Sequence, residues 1–359
     1  MIKAINGVWV AVLLTLGSGP ASVAADPAPA APGCEPRDGI ESICGLRAPE
    51  DIVLAPDGRH LIFGQMAAPG GLFLLDTRDR STAPLAAPAS DPRGGERWGD
   101  PACTAPPATL LAHGIDLRRR GDGRWQLLVV NHGGRESVEF YELLGAAQGF
   151  RAAWRGCAEA PADASLNDVA GLPGGGFLVT RMTSRESPMW ELFLAVLGFD
   201  NGLVYRWGRE EGFAGLPGTE GRFPNGIALA ADGRSFFVNM YLGNRMRQFS
   251  LPDAEPLGEV AISKPDNVTL GADGKLLVAS HFGSLLQLND SLTQDPSLPS
   301  LLPYAIVEVD PRSLAKRQLF RHEGPPMGAG TAAVRHDGAL YVGSYVGDRI
   351  VRVPLAADR

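Results

Sequence analysis

Residues 223–240, FPNGIALAADGRSFFVNM, decide the fold, because five other stretches of the chain repeat their pattern. Asn225 opens the stretch, Ile227 and Leu229 alternate behind it, Ala231-Asp232-Gly233 makes a tight turn, and Phe236, Phe237 and Val238 form a second apolar run. That reads as strand, hairpin turn, strand. The signature recurs at 50–64 (EDIVLAPDGRHLIFG), 113–132 (HGIDLRRRGDGRWQLLVVNH), 167–182 (NDVAGLPGGGFLVTRM), 266–281 (DNVTLGADGKLLVASH) and 330–345 (GTAAVRHDGALYVGSY).

The turn glycines Gly58, Gly123, Gly175, Gly233, Gly274 and Gly338 lie 65, 52, 58, 41 and 64 residues apart. A period of roughly 40 to 50 residues with several short strands per unit belongs to propeller blades, not helical repeats. An all-β, six-bladed propeller is therefore expected, with loops of varying length between blades. Residues 33–49 precede the first repeat and only about twenty residues follow Gly338, so one blade should take strands from both chain ends. The strand before Glu50 is expected to pair with 349–354.

Counting back eight residues from the glycines reaches Glu50, Asn167, Asn225, Asp266 and Gly330, with the second copy offset by two at His113. One step on stand Asp51, Asp168, Gly226, Asn267 and Thr331. Equivalent positions of every blade face one axis, so these oxygen-bearing side chains should meet. A lone Asn or Asp at a strand start is usually a turn cap; five across two adjacent offsets are not. Glu50, Asn167, Asn225, Asp266 and Asn267 offer two carboxylates with three amides, a hard-oxygen set suited to Ca²⁺. The absence of Cys and His at those positions argues against zinc or copper. Asp51 and Asp168, pointing the other way, could hold a second, more buried calcium with a backbone carbonyl such as that of Ile115.

Six histidines are present. His113 opens the second repeat at the ring-facing position and His132 closes its hairpin, so one imidazole can touch the site while the other orients it. The alternative for His113 is a hydrogen-bonded core histidine. His281, ending the equivalent strand of the fifth repeat, is a third candidate, for contact with substrate. Other catalytic plans fail: no G-x-S-x-G elbow occurs, and 328–333 (GAGTAA) fits G-x-G-x-x-A but leads into a strand, not a helix.

With 359 residues, 45% apolar and 20% charged, the chain can form one large domain, here 34–359. Its net charge of −7 and lack of a basic run longer than Arg118-Arg119-Arg120 leave no footprint for nucleic acid. Residues 1–25 read as an export signal, with Lys3, an apolar run over 8–16 and small residues before Asp26, which predicts a secreted or periplasmic protein cleaved after Ala25. A Pro/Ala linker over 26–33 follows. Four cysteines in an exported chain fit two disulfides; Cys34 with Cys44 and Cys103 with Cys157 is one of three pairings. The apolar 188–207, PMWELFLAVLGFDNGLVYRW, reads either as buried structure within a blade or as a lid or membrane-facing helix walling an apolar pocket. The stretch 291–303 reads as a long loop within the fifth blade.

These residues resemble the calcium-dependent paraoxonase/arylesterase lactonases, within the wider gluconolactonase and strictosidine-synthase-like six-bladed propellers. The resemblance runs from about Cys34 to the C-terminus, through Pro49-Glu50-Asp51, His113-Gly114-Ile115, Val130-Asn131-His132, Leu166-Asn167-Asp168, Phe223-Pro224-Asn225-Gly226-Ile227, Asp266-Asn267 and Ser280-His281. It implies two calcium ions, a catalytic one on Glu50, Asn167, Asn225, Asp266 and Asn267 and a structural one on Asp51, Asp168 and the carbonyl of Ile115. It also implies a His113/His132 dyad and a small-molecule lactone or aryl-ester substrate. Two departures stand out. The C-terminal cysteine that partners the N-terminal one in vertebrate members is replaced by Val353, which leaves Cys34 to Cys44. Where the family has Asn-Asp-His, this chain has Thr180-Arg181-Met182, which alters one pocket wall. The competing expectations are a calcium-stabilised propeller that binds a ligand without catalysis, and a sugar-lactone hydrolase of the gluconolactonase type with a polar pocket.

Overall fold

A computed structural model describes residues 33–85, 95–146 and 149–355. The expected signal over 1–25 and all but the last residue of the 26–33 linker lie outside the described residues. Six four-stranded antiparallel sheets form a six-bladed β-propeller. Each predicted hairpin supplies the two inner strands of a blade. The innermost strands are Pro49–Leu54, Ala112–Arg119, Ala164–Gly171, Pro224–Leu229, Pro265–Leu270 and Gly330–His336. Each touches the innermost strand of the next blade, and the sixth returns to the first.

Closure follows the expected route. Glu41–Cys44 pairs antiparallel with Arg349–Pro354, Ile43 opposite Ile350, so the last blade is sewn from both ends of the described chain. Disulfides join Cys34 to Cys44, inside that closing strand, and Cys103 to Cys157.

Burial grades from axis to rim. Every residue of Pro224–Leu229 and Ser235–Met240 is buried, whereas the outermost strand of that blade, Pro256–Ala261, is largely exposed. Inner strands, covered on both faces by neighbouring blades, need near-continuous apolar runs, and outer strands do not. Aromatic wedges fill the gaps: Phe177 of blade 3 stacks on Trp207 at 5.2 Å and packs against Phe140 of blade 2 at 5.8 Å. A buried Phe of this kind contributes about 2–3 kcal/mol.

Among the described residues, two helices interrupt this plan. The helix α1 (Pro188–Val196) and the helix α2 (Leu285–Thr293) both sit in the connection between second and third strands, in blades 3 and 5. The stretch 188–207 therefore splits into a surface helix and a blade strand, Leu203–Gly208. The loop expected over 291–303 begins inside α2. That helix has its own signal, a capping box in which Ser284 accepts from the Gln287 N–H and Gln287 accepts from the Ser284 N–H.

Candidate metal centre and histidine relay

One irregularity repeats six times. The pairing of each innermost strand with its neighbour slips by one residue at the same level: between Pro49 and Ile52, Ala112 and Ile115, Leu166 and Val169, Pro224 and Ile227, Pro265 and Val268, Gly330 and Ala333. A bulge of this type places two residues opposite one and re-aims their side chains. The pairs so released are Glu50/Asp51, His113/Gly114, Asn167/Asp168, Asn225/Gly226, Asp266/Asn267 and Thr331/Ala332.

The first member of every pair lines a single cavity of ≈ 240 Å³ on the axis. Blade 6 corrects the sequence register by one residue: Thr331, not Gly330, is the equivalent of Glu50. Its hairpin turn is tight, with His336 directly opposite Ala339, so counting back from Gly338 overshoots. A larger hollow of ≈ 520 Å³, near Trp98 and Arg120 on the outside, contains none of these side chains; size does not mark the site.

The second members form a lower tier, where an innermost strand is an edge whose N–H groups need acceptors. Asp51 accepts from the N–H of Ile52 at 2.8 Å and from that of Ile115, in the next blade, at 2.7 Å. Asp168 likewise takes Val169 at 2.7 Å and Ile227 of blade 4 at 2.8 Å. Each carboxylate thus braces a seam between blades, and both open onto a second cavity of ≈ 470 Å³ at the opposite mouth. A residue's N–H and C=O leave a strand on the same side, so the Ile115 carbonyl faces this channel too. Gly114 and Gly226 complete the tier because a Cβ there would stand 2.5 Å from the Asp168 Cα and 2.6 Å from the Asn267 Cα.

Charge in this column is uncompensated. Glu50, Asp51, Asp168 and Asp266 are all buried, and among the described residues no Lys or Arg forms an ion pair with any of them. Burial, then Asp51 and Asp266, pushes Glu50 well above the ordinary carboxylate range. Asp168 is raised in the same way by burial and Asp51, Asp51 to about 7 and Asp266 to about 8, chiefly by burial. Buried like charges of this kind require protons or a cation.

The hydrogen bonding says which. Asn267 Nδ2 donates to Glu50 Oε1 at 2.8 Å, Asn167 Nδ2 to Met182 Sδ at 3.4 Å, and the Asn225 amide to Asp266. Each amide nitrogen is thereby occupied. The oxygens Glu50 Oε2, Asn167 Oδ1, Asn225 Oδ1 and Asn267 Oδ1 are buried without a hydrogen-bond partner among the described residues, at a cost of about 1–3 kcal/mol apiece. Four orphaned hard oxygens from four blades, beside Asp266, fit a hard divalent cation such as calcium. No three His, Cys, Asp or Glu side chains among the described residues form a metal-holding group by themselves, so the amides are indispensable to such a set.

His113 stands beside this ring, its Nε2 3.7 Å from Glu50 Oε1 and 3.5 Å from Asn167 Nδ2. Its Nδ1 lies 2.7 Å from His132 Nε2. Behind His132 is a residue that the sequence reading missed: Glu136, whose Oε2 lies 2.8 Å from His132 Nδ1. Burial and the neighbouring His132 hold His113 well below the ordinary imidazole range, so it is a neutral ring. The Asn131 side chain knots the connection that carries both partners, accepting from the N–H of Leu111 and Gly133 and donating to the carbonyls of Gly133 and Arg135.

His281 is placed differently from expectation. It is fully buried and stands behind the cavity wall: the Tyr241 hydroxyl lies 2.8 Å and Asp266 Oδ2 3.6 Å from its Nδ1, and the other ring nitrogen, Nε2, lies 3.0 Å from the Gly330 carbonyl oxygen. Tyr241, not His281, lines the wall. Met66, Met182, Leu192 of α1, Phe223, and Leu288 and Leu292 of α2 make the remaining wall mostly apolar.

A scan against protein-family models and a search of curated proteins find no match for this sequence. Solved structures do match. A luciferin-regenerating enzyme aligns with a TM-score of 0.53 at 13% identity, over 88% of this chain and 94% of its own. A gluconolactonase from Xanthomonas campestris gives 0.52 at 14%, over 88% and 89%. A calcium-binding protein, regucalcin, from Agrobacterium tumefaciens gives 0.50 at 12%, over 87% and 92%. At such identities the likeness is one of fold, and the fold this chain shares with them is the six-bladed propeller of gluconolactonase- and regucalcin-like proteins.

Proposed function

We propose that the chain is a secreted or periplasmic calcium-dependent hydrolase of lactones, with aryl esters as further substrates. One observation carries this reading: buried oxygens of Glu50, Asn167 and Asn225, without a partner among the described residues, converge from three blades with Asp266 on a cavity that His113 also lines, while Asn267 braces Glu50 beside them. Glu50, Asn167, Asn225, Asp266 and Asn267 would hold the catalytic ion, and Asp51, Asp168 and the Ile115 carbonyl a structural one. When bound at the upper ring, calcium supplies positive charge that polarises an ester carbonyl.

The chain's own residues do the rest. His113 Nε2 takes a proton from water as the water oxygen bonds to the acyl carbon. The bond from that carbon to the ring oxygen breaks, and the same proton passes to the departing oxygen, giving a hydroxy acid. Because a lactone's leaving oxygen stays tethered, a strong general acid is dispensable. Met66, Met182, Leu192 and Phe223 exclude bulk water and favour an apolar acyl chain over a polyhydroxylated sugar lactone.

The rim supports a peripheral lipid contact through 188–207. Met189 is 72% exposed, Trp190 59% and Phe193 50%, and on α2 Leu286 is 76% exposed. Such a cluster around a cavity mouth is uncommon on a surface that meets only water. The export-type N-terminus and the two disulfides support a location outside the cytosol.

A panel of lactones and aryl esters, assayed in millimolar calcium and again after chelation, tests the reading. Hydrolysis of apolar lactones that vanishes on chelation and returns with calcium is expected. Calcium binding without turnover of any panel member would leave a ligand-binding propeller instead.

A further inference from the structure

We infer that Glu136 is a positioning residue that sets the proton arrangement of the His113–His132 pair and ties it to the oxygen ring; the inference deepens the proposed hydrolase and rests on it for the catalytic consequence alone. Glu136 is buried, in the connection after the second strand of blade 2. Its two oxygens are engaged on different blades. Oε2 faces His132 Nδ1 at 2.8 Å, and Oε1 accepts the backbone N–H of Leu166 at 2.7 Å. Leu166 immediately precedes Asn167, one of the ring donors. A single carboxylate thus fixes both the relay and the strand that carries a ring oxygen.

The direction of every bond in the relay follows from this end. A carboxylate only accepts, so His132 carries its proton on Nδ1. Its Nε2 then holds a lone pair, and the 2.7 Å contact to His113 Nδ1 requires that His113 donate from Nδ1. What remains on His113 is an unprotonated Nε2, turned toward Glu50 and Asn167. The base reaches the cavity in its competent form because of a carboxylate that touches it only through His132.

Replacing Glu136 by Gln reverses the relay without removing its geometry. The Leu166 N–H demands an acceptor, so the amide oxygen stays there and the amide NH₂ turns to His132. His132 Nδ1 must then accept, His132 Nε2 must donate, and His113 must carry its proton on Nε2, toward the cavity. His281, with its proton fixed on Nε2 by the Gly330 carbonyl, is an internal control.

Full-length protein labelled with ¹⁵N-histidine reads these states directly through long-range ¹H–¹⁵N correlations. The wild type should show Nδ1–H rings for His113 and His132 and an Nε2–H ring for His281. Glu136→Gln should convert the first two to Nε2–H and leave the third alone, with kcat down at least about tenfold and KM within about twofold. Glu136→Asp, which keeps the charge, should retain the wild-type tautomers and most of kcat. Unchanged tautomers in a folded Glu136→Gln protein, or inverted ones in Glu136→Asp, would overturn the assignment. If no ester is hydrolysed at all, the tautomers still decide the role of Glu136 while the hydrolase reading falls separately.

Discussion

Blades 2 and 5 place a histidine at the same structural level, directly after or at the end of the second strand, and use it in opposite ways. In blade 2, His132 is backed by a carboxylate, and its partner His113 presents a lone pair to the cavity. In blade 5, His281 is backed by the Gly330 carbonyl, so its proton sits on Nε2 and its Nδ1 accepts the Tyr241 hydroxyl proton. One arrangement delivers a base to the cavity; the other consumes a proton donor before it reaches the wall. What lies behind an imidazole, more than the imidazole, decides what it offers in front. Burial pushes His281 down to about 4, which keeps it neutral and keeps that division intact.

Three substitutions sharpen or break this contrast. Asp266 adjoins both systems, with Oδ2 3.6 Å from His281 Nδ1, but belongs to the oxygen ring. Asp266→Ala should lower lactone turnover on the order of 10³-fold with the fold retained, as read by steady-state kinetics beside circular dichroism; full calcium-dependent activity in this variant is incompatible with the ring assignment. His113→Gln is expected to cost about 10²-fold in kcat with calcium affinity nearly unchanged, measured by turnover and calcium titration. A smaller loss would remove the dyad and leave the ring standing. His281→Leu should cost about 2 kcal/mol of stability, because the Gly330 carbonyl and the Tyr241 hydroxyl lose their partner, while turnover falls less than in His113→Gln. Equal turnover losses in the two histidine variants would erase the distinction between the blades.

The sequence carried the propeller because a hairpin with a glycine turn is a local pattern, repeated six times, and because the ring-facing residues occur at a nearly fixed distance from that glycine. The pattern misleads where that distance changes: the short turn at Gly338 moves blade 6 by one residue and hides Thr331 behind Gly330. Glu136 and Tyr241 were invisible for another reason. Glu136 lies in the connection beyond the second strand, where no repeat unit aligns it, whereas Tyr241 holds the register position of His132 and His281, one residue past the end of the 223–240 stretch; the roles of both depend on contacts across blades. Glu136 did leave a trace, four residues after His132 with Asn131 and Gly133 shaping the bend between. Gly133 is required there, since a Cβ would stand 2.3 Å from the Thr109 carbonyl oxygen. The α2 helix is legible in Ser284 and Gln287, and the loop expected over 291–303 overlaps only its last residues because leucine, serine and proline dominate the stretch beyond it.

The two caps occupy one and the same connection in alternate blades, where blades 1, 2, 4 and 6 make do with short turns. Each is fastened by side chains of its own: Glu191 of α1 accepts from Arg181, Thr183 and the Ser184 N–H, and Ser291 of α2 bonds to Tyr345 and Ser300. On the proposed hydrolase reading, selectivity and reactivity are written in separable parts of the polypeptide. Descendants of this architecture could then trade one appetite for another by exchanging two short inserts, leaving the wheel and its oxygen ring as they were.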